Sequence, residues 1–272
     1  KRVFFAIRAQ AALFVVFRIV FSLYGPLPGL EKIPNLFILL GLVLIFVSLI
    51  LTANEKDPVK FAEAVELFMK GFLMLSMGIS ISGTYTAQAA AEYGFGAIES
   101  MVAMWILFLP TSAALSFVCC TLKQQTEDGE MWQHTGLFRK IPLSGAAFFF
   151  AICVIAGIPP FVGFPAKQFL YRSSSYVTPL LTIFLLVSAM LILLISVRYI
   201  SRVMFGKPTE AAEKVRNGDI QVMIPLIMLF VFLFYSTITP SLFINSMVSP
   251  SVYSLLNKGQ LVNAIHQGGN SE

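Results

Sequence analysis

The sequence predicts an all-α integral membrane protein with seven transmembrane helices, one of them broken. Three observations carry this prediction. Apolar residues make up 57% of the 272 and charged residues only 12%, with a mean hydropathy of +0.81; soluble domains run at about 45–50% and about 25%. The apolar residues gather into seven stretches, near 4–24, 36–53, 67–84, 97–121, 143–171, 176–201 and 221–244. Each is close to or above the length of about 20 residues that a helix needs to cross a ~30 Å hydrocarbon layer. The basic residues, finally, divide unevenly between the two sets of connecting loops.

The same numbers exclude other classes. Phe, Leu and Ile are too abundant for a disordered chain, and the runs are too long and lack the period-two alternation of barrel strands. Cys119, Cys120 and Cys153 lie inside apolar runs, which is no disulfide framework. The net charge is +5, yet no run of five basic residues occurs, so a nucleic-acid tail is not expected. His134 and His266 fall in loops far from each other and from any cysteine, which leaves no metal-ligand spacing. No phosphate loop, dinucleotide fingerprint or Ser-His-acid grouping is present.

Taken in order, the first span (4–24) carries Arg8 and Arg18 and ends at Gly25-Pro26-Leu27-Pro28-Gly29. The second (36–53) is closed by Asn54-Glu55-Lys56-Asp57-Pro58, and the third (67–84) begins beside Glu66 and contains Lys70. The fourth (97–121) leads to a polar loop with Lys123, Arg139 and Lys140. The long fifth stretch (143–171) is interrupted by Pro159-Pro160, flanked by Gly157 and Gly163. The sixth (176–201) ends among Arg198 and Arg202, and the seventh (221–244) precedes a polar tail, 247–272, that leaves the membrane. The chain opens Lys1-Arg2-Val3-Phe4 without Met or signal peptide, which reads as a processed, truncated or split polypeptide.

Seven crossings place eleven basic residues on the side of the N-terminus and three (Lys32, Arg172 and Lys258) on the other. By the positive-inside rule the N-terminus is on the cytoplasm-equivalent side. Five basic residues remain inside spans: Arg8, Arg18, Lys70, Lys167 and Arg198. A cation at mid-membrane costs about 2.5–3.5 kcal/mol on insertion scales, so it faces protein or a wet cavity. Arg198 can snorkel to the basic side, as can the shallow Arg8; Arg18 lies deeper. Lys70 follows Glu66 by four residues on one helix face, an order that suits a structural pair as well as a proton-relay role. Lys167 differs from these, although snorkelling is an alternative for it too. It stands about two turns beyond adjacent prolines that must break the helix. A break at membrane depth is tolerated only inside protein or beside water, and broken helices with ionisable residues mark ion pathways.

The run Gly136-Leu137-Phe138-Arg139-Lys140-Ile141-Pro142-Leu143, followed by Ala156-Gly157-Ile158-Pro159-Pro160-Phe161-Val162-Gly163-Phe164-Pro165-Ala166-Lys167, resembles a family signature. It is similar to the twelfth-helix region of the antiporter-like membrane subunits of respiratory complex I, closest to the subunit 2 type of NADH dehydrogenase. The resemblance spans about thirty residues in register, and Arg198-Tyr199-Ile200-Ser201-Arg202 resembles the end of the thirteenth helix. It implies that the seven spans are helices eight to fourteen, the C-terminal half of a fourteen-helix antiporter-like fold. It further implies that Lys167 is a proton relay and that the N-terminus faces the matrix. Arg8 falls near the eighth-helix relay position, but an arginine cannot pass on its own proton. Lys70 and Glu66 have no secure counterpart and stay as relay candidates on their position alone.

By the same resemblance, the chain is a fragment of a proton-translocating subunit of NADH:ubiquinone oxidoreductase in the mitochondrial inner membrane. A bacterial plasma membrane is the alternative location. No cofactor is expected in this chain: NADH, FMN, iron–sulfur clusters and ubiquinone belong to other subunits. The implied partners are a separate N-terminal half of subunit 2, other membrane-arm subunits and lipids, with no nucleic acid. A monovalent cation/proton antiporter subunit and a non-pumping membrane scaffold are the alternative functions.

Overall fold

The computed structural model describes residues 32–85, 90–125, 141–203 and 220–256, with a few single positions besides. The expected first span, with Arg8 and Arg18, lies outside them, as do the loop through Arg139 and Lys140 and the end of the tail. Every regular element among the described residues is helical.

Helix α1 (Ile33–Asn54) starts with a proline in its first turn and leaves helical geometry at Glu55. Asp57 then starts α2 (Pro58–Tyr85): its Oδ1 accepts the Val59 N–H at 2.8 Å, and its carbonyl takes the Phe61 N–H. An acidic N-cap followed by proline is a strong start signal. It sets the helix nine residues ahead of the expected 67, because the hydropathy pattern registers lipid crossing while Lys60, Glu63 and Glu66 are simply helical.

The α1–α2 pair is the closest-packed seam. A Cβ on Gly71 would lie 2.7 Å from Ile45 Cγ1 and 2.9 Å from Ile45 N, and one on Gly41 would lie 2.8 Å from Gly71 O. Small residues of this kind let helix backbones approach in a membrane, and Ser48 Oγ donates across the seam to Ala64 O at 2.7 Å. Gly71→Val should force the helices apart at about 1–3 kcal/mol, read as a lower Tm of the detergent-extracted assembly.

Helix α3 (Ala90–Gln125) contains Pro110; then come α4 (Pro142–Ala156), α5 (Gly163–Val177) and α6 (Pro179–Val203). Within the stretch 143–171 residues 157–162 are not helical, and the second of the two helices there, α5, runs on past 171 to Val177. The seventh stretch does not continue straight to 244. Helix α7 (Ile220–Ile238) ends at Thr239, where the chain turns by 103° into α8 (Pro240–Phe243), a π turn over Ile244–Val248 and α9 (Ser249–Leu256). Thr239 precedes a proline, which disfavours helical geometry, and its φ of −121° and ψ of 61° are not helical.

Among the described residues four helices are long and apolar enough to cross a membrane, α1, α2, α3 and α6, or five if the bent α7–α9 pair counts as one. Helix α2 is the inner one: 83% of its apolar window is buried, against 28% in both α1 and α6. Those two turn rows of large side chains outward, among them Leu39, Phe46, Leu180 and Met190.

Candidate functional site

The site is built where α4 stops. Its last turn closes on Gly157, in the left-handed region at φ +72°. The Gly157 N–H bonds Val154 O at 3.1 Å and Cys153 O at 3.0 Å, and Ile158 N–H reaches Cys153 O at 3.3 Å. This double closure is a glycine-dependent helix end. It occupies the carbonyls of residues 153 and 154, so those that follow need other partners.

Lys167 supplies one. It sits in the second turn of α5, and helical side chains lean back toward the N-terminus. Its Nζ donates to Ala156 O at 3.1 Å, and the side chain is 1% exposed. Gly157 forms the floor beneath its stem: a Cβ there would lie 2.7 Å from Lys167 Cδ and 3.2 Å from Cε. Gly163 brings the start of α5 against the end of α4, where a Cβ would collide with Val154 O. Ser100 of α3 braces the same turn, donating to Ala166 O at 2.7 Å, and Thr237 Oγ1 of α7 accepts the Val162 N–H at 3.4 Å. The two prolines themselves, Pro159-Pro160, form a cis peptide in the connecting loop.

Two aromatic rings complete the surroundings. Lys167 Nζ lies 4.3 Å from the Phe72 ring centroid and 4.7 Å from that of Phe68. Each such contact contributes about 0.5–2 kcal/mol to holding a cation, and the C-terminal end of α4 adds a partial negative charge. Among the described residues no carboxylate pairs with Lys167. Among the described residues a carbonyl, a helix end and two π-faces thus take the place of water around the amine. In this arrangement the amine is chemically able to take up and release a proton.

The other described candidates lie elsewhere. Two residues along a helix is a rotation of about 200°, so Glu66 and Lys70 face away from Phe68 and Phe72, toward α3. Glu66 Oε1 accepts from Ser112 Oγ at 2.9 Å, and Lys70 Nζ sits 5.8 Å from the Phe108 ring centroid. The two stripes meet i, i+4 against i, i+4, on the side of α2 turned away from Phe68 and Phe72. Ser112→Ala removes a buried hydrogen bond to a carboxylate and should cost about 1–3 kcal/mol; Ser112→Thr should restore it in the same thermal melt. Sequence reasoning missed Phe68, Phe72 and Ser112. The i, i+4 spacing of the two phenylalanines was the available signal, but it looks the same for a lipid-facing pair.

No family model matches the chain. An NADH-quinone oxidoreductase subunit N of Moorella thermoacetica is 26% identical over 258 residues, 90% of this chain and 50% of that protein. A Staphylococcus aureus protein named as an antiporter subunit is 27% identical over 119 residues, 44% of this chain and 21% of that protein. The chain thus spans half the length, or less, of these curated relatives. Among solved structures, a chain of the Mrp complex from Dietzia superposes with a TM-score of 0.70 at 15% identity, over 90% of this chain and 52% of that one. Respiratory complex I from Thermus thermophilus gives 0.58 at 20% identity, over 78% and 45%. The likeness to the structures establishes the fold. Over most of its length, this chain is similar to membrane subunits of NADH-quinone oxidoreductases and of the Mrp complex.

Proposed function

We propose that the chain is part of a proton-translocating membrane subunit of an NADH:quinone oxidoreductase, with Lys167 as its relay. The observation that carries this reading is the amine of Lys167, buried at a helix interruption and held there by a backbone carbonyl and two aromatic rings. In this reading α4 and α5 are one broken span, and the basic loops and N-terminus face the matrix or cytoplasm. The subunit is of the subunit 2 type and works with the helices of an N-terminal half and with neighbouring membrane-arm subunits. Protons reach Lys167 by a hydrated path and leave it when charges in those neighbours change. Glu66 and Lys70 would carry a proton on the α3 side of α2, and Arg8 would order water without passing its own proton. NADH, FMN, iron–sulfur clusters and quinone would all be bound by other subunits. The mitochondrial inner membrane is the proposed location.

Native-gel composition tests the assignment. Co-migration with subunits that hold flavin and iron–sulfur clusters is expected. Migration in a complex lacking them, together with sodium-dependent proton transport, would assign the chain to a cation/proton antiporter instead.

A further inference from the structure

The outward faces of α1 and α6 do not close on each other along their length. Between them runs a groove holding two connected cavities of about 350 and 540 Å³ that share Phe46 and Phe184. From Leu181 to Ile195 it follows fifteen residues of α6, about 21 Å at the helical rise, more than the ~15 Å of one hydrocarbon leaflet. Its walls are apolar. The hydroxyl of Ser188 is spent within its own helix, on Leu185 O at 2.8 Å, and the other polar lining residue, Thr178, lies at the opposite end from Ile195.

One end differs. The α6 stripe Phe184, Ser188, Leu191, Ile195 continues at helical spacing to Arg198 and Arg202, and α1 ends at Asn54 just before Lys56. Tyr199 holds the two ends together, its hydroxyl donating to Lys56 O at 3.2 Å and its ring stacked on Phe61 at 3.6 Å. Lys56, Arg198 and Arg202 are exposed. The acidic residues beside Lys56 are turned inward to backbone: Glu55 Oε1 accepts the N–H groups of Lys56 and Asp57 at 3.1 Å each, and Asp57 Oδ1 caps α2. A long apolar channel therefore opens onto three outward cations at its membrane-surface end.

We propose that this groove binds an anionic phospholipid, its acyl chains lying along α1 and α6 and its phosphate held by Lys56, Arg198 and Arg202. Charge complementarity decides the occupant, because a zwitterionic lipid brings its own ammonium among the cations beside its phosphate, and an apolar helix uses the walls but leaves the cations unmatched. The site is separate from Lys167 and stands whether or not that residue relays protons.

Photolabelling of the intact complex tests it, with phosphatidylglycerol and phosphatidylcholine carrying the same photoreactive acyl chain. The phosphatidylglycerol label should map to peptides of α1 and α6, and labelling should fall about fivefold for each cation removed in Lys56→Gln, Arg198→Gln and Arg202→Gln. Labelling by phosphatidylcholine should not change. Leu191→Trp, which fills the groove and leaves the charges in place, should block the anionic probe in a complex that still assembles. Equal labelling by the two lipids would overturn the proposal. So would a thiol introduced by Phe46→Cys or Leu191→Cys that cross-links to a protein neighbour.

Discussion

Replacing Lys167 by Met should abolish proton translocation through this chain while the complex still assembles. Met fills a similar volume, removes a buried cation, and leaves Ala156 O as the group that loses its partner. Trading a buried charge for a packed apolar side chain is often neutral or stabilising, so the Tm should change little. Lys167→Arg separates the possible roles. Arginine keeps the charge and can still donate to a carbonyl, but it does not deprotonate in proteins. If the amine only braces the end of α4, the arginine variant retains function; if it relays protons, arginine fails as completely as methionine. The measurement is the ratio of protons moved to electrons transferred in reconstituted vesicles. An unchanged ratio in both variants would remove Lys167 from the mechanism.

Gly163→Ala should be the most damaging single-methyl change in the described part of the chain. The added Cβ would collide with the carbonyl oxygen of Val154 and stand 2.8 Å from its carbon. Both atoms are backbone and cannot swing aside, so α4 and α5 must separate. A cost of at least about 3–4 kcal/mol is expected, at the upper end of overpacking, and assembly on a native gel should drop accordingly. Gly157→Ala makes an instructive contrast. Its left-handed backbone costs about 1–2 kcal/mol with a side chain, but its nearest neighbour is the flexible stem of Lys167 at 2.7 Å. That variant should assemble and lose transport, because the stem must move off Ala156.

These two glycines and the lysine were legible in the sequence, since adjacent prolines in a long apolar stretch leave little choice but a break. That the stretches near 36–53 and 97–121 and most of 176–201 are helical was legible too, because apolar runs of this length suit a helix. What could not be read was which faces meet. Phe68, Phe72 and Lys167 come together only because α5 packs beside α2, a contact between residues about a hundred apart in sequence. Glu66 and Lys70 share a helix face, as their spacing implied, yet what they turn toward is set by Ser112 and Phe108 on α3. The turn at Thr239 was missed because one proline inside an apolar run weighs little in a hydropathy window. Its effect on the residue before it is local and absolute.

The single bond from Lys167 to Ala156 bears on how fast such a site could cycle. An ammonium has three N–H groups and a neutral amine two, and the carbonyl needs only one. Losing a proton therefore does not require the side chain to let go, and no rotamer has to change between the two states. In the proposed relay the reorganisation accompanying each transfer would fall on the arriving and departing water and not on the side chain. A relay built this way should show a solvent deuterium isotope effect on transport and little dependence on the stiffness of the surrounding helices.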